Sequence, residues 1–281
     1  ESNMSGVTIN GKQYGSIEEY MEEINPTIVE PTPEHIEDWI YVIEDDGTIT
    51  INGYKGLDTE VVIPNYINGI PVKKIGKVLF GYSFGQGFWD PSICEQGYVD
   101  LYFYRQNTIT KVVISYGIET IDSMALNHSN ALQEIVIPKT VKNIRDRAFW
   151  VCNSLKEITI PSSVTSIESG VFNHCTSLTE ITIPSSVTSI GSEVFSHCTS
   201  LTEITIPSSV TSIGSNAFWN CTSLTEITIP DSVTTMGERV FNDIPSITVH
   251  VPWREGEKPE GWSDNWNSTN FDCTITVDYA K

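Results

Sequence analysis

The chain has 281 residues, 39% of them hydrophobic, and a formal net charge of −20. That apolar content excludes disorder throughout. No apolar run reaches the eighteen residues of a membrane span, and the acidic balance opposes binding to nucleic-acid phosphates or anionic lipid.

The acidity is concentrated at the start, where residues 1–60 hold fourteen Asp and Glu against Lys12 and Lys55. No charged-then-apolar signal segment opens at Glu1, so the sequence reads as a mature or trimmed form, with signal and anchor outside it. Ser16–Asn25 (SIEEYMEEIN) predicts a short acidic helix, with Ser16 as N-cap and Glu19 closing a capping box. Pro26–Pro33 is a linker by composition. Residues 1–36 thus form a helix and linker that either dock on the following structure or tether a neighbouring module. Trp39–Tyr54 then alternates apolar and polar residues around Asp46-Gly47, predicting a capping hairpin within 37–60.

From residue 61 the sequence repeats. Leu155–Ser177, Leu178–Ser200 and Leu201–Ser223 are nearly identical 23-residue stretches, which means one supersecondary unit stacked on itself. Leu132–Ser154 and Leu224–Ser246 fit the register well, and Ile109–Ala131 fits more loosely. A divergent first copy spans Val61–Phe80, and Ile247–Pro252 begins a last one. Residues 61–250 therefore form an elongated solenoid whose coils touch only their neighbours, with an insertion at 81–108.

Each unit has an internal logic. Ile181 and Ile183 flank Thr182 as a short strand with one face inside, and Pro184 stops it. Val187 and Ile190 make a second apolar stretch. Ser192–Ser196 is long enough for one helical or 3₁₀ turn that points Val194 and Phe195 inward. In-register columns follow, among them Phe149, Phe172, Phe195, Phe218 and Phe241. Cys152, Cys175, Cys198 and Cys221 form another such column of small apolar side chains, while Cys94 and Cys273 lie outside it. Residues 251–281 drop the repeat and supply Trp253, Trp262 and Trp266, an aromatic cap over the open end, before a final strand at Thr274–Val277. The fold class is a leucine-rich repeat solenoid: short parallel strands stacked with short helical or 3₁₀ turns, mostly β, capped at both ends.

The unit L-x-x-I-x-I-P-x-x-V-x-x-I-x-x-x-x-F-x-x-C-x-x resembles the BspA-like leucine-rich repeat family of bacterial and protist surface proteins. DDGTITINGYKG at the start and PWREGEKPEGWSDNWN at the end are also similar to that family's usual termini. The resemblance covers roughly residues 38–281; the insertion and residues 1–36 have no counterpart in it. It implies a cell-surface or secreted protein that adheres to or binds other proteins, without catalysis.

Several motifs bear residue types associated with chemistry. Gly81-Tyr82-Ser83-Phe84-Gly85 matches the G-x-S-x-G nucleophile elbow, but that chemistry needs a strand–turn–helix in a doubly wound sheet. His174-Cys175 and His197-Cys198 recur on adjacent coils with His128 further back; an inward Cys turns its neighbouring His outward, so no metal set converges. Asp264, Asn265, Asn267, Asn270 and Asp272 are oxygen-bearing residues of the kind calcium favours, without EF-hand spacing. No catalytic, cofactor or metal residue is therefore assigned.

Two surface features are candidate ligand contacts. Glu134, Glu157, Glu180, Glu203 and Glu226 form a ladder beside Thr159, Thr182, Thr205 and Thr228; Glu157, Glu180 and Glu203 are its centre. The insertion carries Tyr82, Phe84, Trp89, Tyr102 and Tyr104 among other aromatics. Loops leaving a regular scaffold commonly carry function, and aromatics dominate recognition. The expected protein is a monomeric, extracellular, non-catalytic module that binds a protein or host-surface component. A carbohydrate-binding module of a larger extracellular protein and a structural spacer are the alternatives.

Overall fold

A computed structural model describes residues 7–9, 12–14, 33–77, 108–269 and 273–280. The acidic helix expected at 16–25 and the insertion lie outside the described residues. Val7–Ile9 and Lys12–Tyr14 pair as an antiparallel hairpin, and Pro33–Asp38 is a 3₁₀ helix.

Two ladders of short parallel strands run along the coils. In the first, Glu60–Ile63, Lys111–Ile114 and Glu134–Val136 pair in order, as do Glu157–Thr159 with Glu180–Thr182 and Glu226–Thr228 with Ser246–Val251. In the second, Ser166, Ser189, Ser212 and Thr235 stand in register, as do Ile167, Ile190, Ile213 and Met236. Val61 pairs directly with Val112, so the first coil lies on the 109–131 coil.

The first coil is longer than the rest. Ile63 pairs with Ile114 and Ile75 with Ile121, which leaves five additional residues between its two strands. They make a hairpin of Tyr66–Ile67 with Ile70–Ile75, turned by Asn68 and Gly69 at φ 52° and 72°. Both signs are positive, as a type I′ turn requires.

The segment expected as a helical turn is a run of consecutive β-turns that keep the i+3 hydrogen bond. Ser196 N–H donates to Glu193 C=O and Cys198 N–H to Phe195 C=O. A helix cannot continue because Glu193 and His197 take φ of 58° and 60°. These turns stack into a third ladder: Glu193, Phe195 and His197 N–H donate to Ser215, Ala217 and Trp219 of the next coil at 2.7–2.9 Å. This third ladder continues where the strand ladders lapse. Glu134–Val136 and Asn143–Ile144 pair with no strand of the 155–177 coil, and there Arg147, Phe149 and Val151 N–H donate to Ser169, Val171 and Asn173 C=O.

Side chains add a further set of links. Thr188 and Thr211 Oγ1 donate to the carbonyls of Thr165 and Thr188 one coil earlier, at 3.2 and 3.1 Å. Ser186 and Ser209 Oγ do the same to Val164 and Val187, at 2.6 and 2.7 Å. This accounts for the recurrent S-S-V-T: its hydroxyls satisfy carbonyl lone pairs between coils. Gly214 is required for contact, since a Cβ there would sit 2.4 Å from Ser192 N.

The interior matches the columns read from the repeat. Phe149, Phe172, Phe195, Phe218 and Phe241 are fully buried, with successive rings stacked 5.5–5.8 Å apart. Cys152, Cys175, Cys198 and Cys221 are buried too. Each thiol donates to a carbonyl of the preceding coil, at 3.3, 3.2, 3.2 and 3.0 Å respectively. The position therefore holds a small side chain with a weak donor.

Both ends are covered. Trp39–Ile43 and Ile49–Tyr54 form the antiparallel hairpin around Asp46-Gly47, and Ile49–Tyr54 pairs in parallel with Ile70–Ile75. At the other end Trp262 and Trp266 are buried and Trp253 packs against the core, all three meeting edge to face. The cap's backbone imitates a further coil: Gly261, Asn265 and Trp266 carbonyls accept from Met236, Arg239 and Val240 N–H. Thr274–Tyr279 pairs with Ser246–Val251 beside it.

Candidate binding faces

The strand face presents the expected acidic row. Glu157 and Glu180 are register partners on neighbouring strands, and Thr159 and Thr182 are partners two residues on. Glu157, Glu180, Glu203 and Glu226 are exposed, as are Thr159, Thr182, Thr205 and Thr228, while the intervening isoleucines are buried. Proline after the second isoleucine ends each strand, which fixes two outward positions per coil.

The row is compensated only at its ends. Lys111 Nζ lies 2.8 Å from Glu134 Oε1, and His250 Nε2 lies 4.0 Å from Glu226 Oε2. Among the described residues Glu157, Glu180 and Glu203 form no ion pair. Adjacent strands are about 4.8 Å apart, where two like charges repel by about 1 kcal/mol in water. The fold tolerates that cost without an internal counter-charge.

The turn face carries a second cluster that follows from the repeat. His128, Val151, His174, His197, Asn220 and Asp243 occupy one column, each with φ between 57° and 61°. The imidazoles of His174 and His197 are half-buried and stacked, 4.1 Å between centroids and 8° from parallel. Trp219 meets His197 edge-on at 4.9 Å. His174 Nδ1 is 2.6 Å from Asn173 Oδ1, and His197 Nδ1 is 2.9 Å from Ser196 Oγ. Burial holds both histidines below the usual imidazole range, with their neighbouring imidazoles adding to this at His174. At His197 the nearby Asp243 and Glu193 oppose the effect of burial.

The sequence placed these histidines outward as solvated surface; the stacking and half-burial are what it did not reveal. The signal was present, because a 23-residue spacing without insertion superposes equivalent side chains on adjacent coils.

The remaining candidates sort simply. Tyr82, Ser83, Phe84, Trp89, Tyr102 and Tyr104 lie outside the described residues, and so do Asn270 and Asp272. In the cap, Asp264 pairs with Lys258 at 3.1 Å and Asn265 Oδ1 accepts from Ser268 Oγ at 3.4 Å, both uses that serve the turns. Burial pushes the thiols of Cys152, Cys198 and Cys221 well up, which removes them as nucleophiles. Among the described residues no group of three or more His, Cys, Asp or Glu is arranged to hold a metal.

No curated protein matches the chain. Among solved structures, a leucine rich cell surface protein from Faecalibacterium prausnitzii is similar at 24% identity and a TM-score of 0.44, over 76% of this chain and 74% of its own. A leucine-rich repeat protein from Bacteroides ovatus is similar at 22% identity and a TM-score of 0.48, over 86% and 70% of the two chains. The leucine rich repeat protein of T. pallidum is similar at 20% and 0.48, over 87% of this chain and all of its own, 100%. The sequence profile of the BspA type leucine rich repeat region, six copies, matches residues 99–221 and 189–253. That match spans more than half of the sequence and falls on the coils just described: the chain belongs to the BspA-type leucine-rich repeat family.

Proposed function

We propose that the chain is a non-catalytic binding module displayed outside a bacterial cell, and that its strand face receives a basic protein partner. The observation that carries this reading is the exposed row of Glu157, Glu180 and Glu203, the first two in strand register, which has no counter-charge among the described residues. Thr159, Thr182 and Thr205 beside it add hydroxyls that donate or accept. A partner presenting Lys or Arg at the spacing of the coils relieves the mutual repulsion of the row and gains charge-assisted hydrogen bonds. Family membership supports the extracellular placement and the absence of catalysis. No helix among the described residues is long and apolar enough to cross a membrane.

The test is a binding screen of the intact chain on arrays of host-surface proteins and of glycans. Wild type is expected to bind basic proteins with an affinity that falls as salt rises, because exposed charges are screened. The Glu157→Gln, Glu180→Gln, Glu203→Gln triple variant is expected to lose at least tenfold while keeping its circular dichroism spectrum. Retained protein binding by the variant, or binding confined to the glycan array, defeats the reading. Tyr82, Phe84, Trp89, Tyr102 and Tyr104 belong to the same proposal as a second contact region; alanine at Trp89 and Tyr102 tests them on the same arrays. Esterase activity that disappears with Ser83→Ala would overturn the non-catalytic assignment.

A further inference from the structure

We propose that the coil 132–154 carries a second binding site, for a sulfated glycan chain, centred on Lys139, Lys142, Arg145 and Arg147. The net charge of −20 is unevenly placed: residues 157–238 hold no Lys or Arg, whereas this coil holds four between 139 and 147. The next coil has Ser162, Thr165, Glu168 and Gly170 at the same repeat positions, so the fold itself does not demand cations there. All four are exposed.

The carboxylates around them are engaged within the protein. Glu119 lies between Lys73 and Lys142, at 2.9 Å from each, and Asp122 lies between Lys74 at 3.1 Å and Arg145 at 3.8 Å. Asp146 Oδ1 accepts from Ser169 N–H at 2.9 Å, and Glu168 Oε2 accepts from Asp146 N–H at 3.1 Å. The cations hold capacity in excess of these contacts. Arg145 meets Asp122 through Nε with its side chain 50% exposed, and the side chain of Lys142 is 62% exposed. Arg147 forms no ion pair among the described residues. A Cβ at Gly170 would meet its Cγ at 3.1 Å, and its guanidinium lies 5.9 Å from the ring centre of Trp150. An ammonium has three donors and a guanidinium five, so N–H groups are left for an external acceptor. Side chains already held in place lose less entropy on binding.

Extent and shape choose the ligand. From Lys73 to Arg147 the patch covers three coils, about 10 Å along the rod, and the acidic coils follow at once. A nucleic-acid duplex or an anionic membrane spreads its charge more widely and would meet those carboxylates, since screening acts only beyond about 8 Å. Along the coil, 139–147 spans at most about 26 Å, room for one narrow polymer crossing the rod. Sulfates spaced along a sugar chain present oxygens that Arg grips with two N–H groups and Lys attracts as a point charge. The inference shares the extracellular placement proposed above and uses nothing of the strand face.

The experiment is binding of the intact chain to immobilised heparin in rising NaCl. Wild type should bind, with an affinity that falls as salt rises. Lys139→Gln with Arg147→Gln, which leaves the Glu119 and Asp122 pairs intact, should weaken binding at least fivefold. Arg254→Gln with Lys258→Gln, in the cap, should not alter it. The Glu157→Gln, Glu180→Gln, Glu203→Gln variant should still bind heparin, so failure here is distinct from failure of the strand-face reading. Absence of binding at low salt, or wild-type affinity in the Lys139→Gln, Arg147→Gln variant, overturns the proposal. Competition by duplex DNA or polyglutamate as strong as by free heparin does the same, by making the patch a general anion site. Self-association in sedimentation that these two substitutions abolish would put a second copy there instead, and likewise overturns it. Should the variant unfold, lysine acetylation of wild type decides. Bound heparin should slow modification of Lys139 and Lys142 but not of Lys258; unchanged rates at all three refute the site.

Discussion

Phe195→Ala tests the packed spine most directly. The ring is fully buried and lies between Phe172 at 5.8 Å and Phe218 at 5.5 Å. Truncating a buried Phe costs about 3–5 kcal/mol, the spread reflecting how far the site can collapse. Here collapse is opposed, because hydrogen bonds hold the backbone of each coil on its neighbours at this position: Phe172 N–H to Val194 C=O, and Phe195 N–H to Ala217 C=O. The cost should therefore lie in the upper part of that range, about 4 kcal/mol. A stack also transmits stability only through its interfaces, so the variant should uncouple the coils on either side of the cavity. Urea unfolding followed by circular dichroism and by tryptophan fluorescence reads both effects. Wild type should give coincident curves, and the variant two displaced ones. A destabilisation under about 1 kcal/mol, the size of an ordinary surface change, would refute the spine as a load shared between rings.

Two other perturbations follow. Val151 holds a β-branched side chain at φ 61°, a conformation that costs L-residues roughly 1–2 kcal/mol, whereas Asn220 in the next-but-two coil occupies the same position with a tolerant residue. Val151→Asn should raise stability by about 1 kcal/mol, read as a higher urea midpoint; an unchanged or lower midpoint contradicts the strain argument. Glu119 joins three coils through Lys142 and Lys73, each at 2.9 Å, and these hydrogen bonds hold its carboxyl below the usual carboxylate range. A carboxyl depressed in the folded state contributes stability above its unfolded value, lost as pH falls below about 4.5 through the folded one. The pair is well exposed, so the effect is small, under about 1 kcal/mol. Glu119→Gln should lower the midpoint at pH 7 and leave it unaltered at pH 3; equal losses at both values would dismiss the ion pairs.

The repeat made the columns legible because identical side chains at a fixed spacing admit one stacking. Phe195, Ile190 and Cys198 were placed inside on that ground, and all three are buried. What a column leaves open is backbone sign. Glu193 and His197 are ordinary residues in left-handed conformations, held there by hydrogen bonds to the next coil, so a helical turn and a run of β-turns looked alike. Asn68-Gly69 is a hairpin signal set inside the divergent first copy, where the repeat register alone predicts an ordinary coil. Of the candidate contacts, exposure of Glu157, Glu180 and Glu203 followed from alternation. The stacking of His174 on His197 depended on two ring orientations set by Asn173 and Ser196, which no single column displays.

The inter-coil hydroxyl and backbone links have a consequence for how such a molecule changes size. Thr188 Oγ1 reaches the carbonyl of Thr165 as Thr211 Oγ1 reaches that of Thr188, so excising or duplicating one whole 23-residue stretch leaves complementary cut surfaces. Recombination between the near-identical segments 155–177, 178–200 and 201–223 can therefore lengthen or shorten the rod in steps of about 4.8 Å. Each step adds or removes one carboxylate and one threonine from the outward row, making grip strength adjustable by counting units while the chemistry of every unit stays the same.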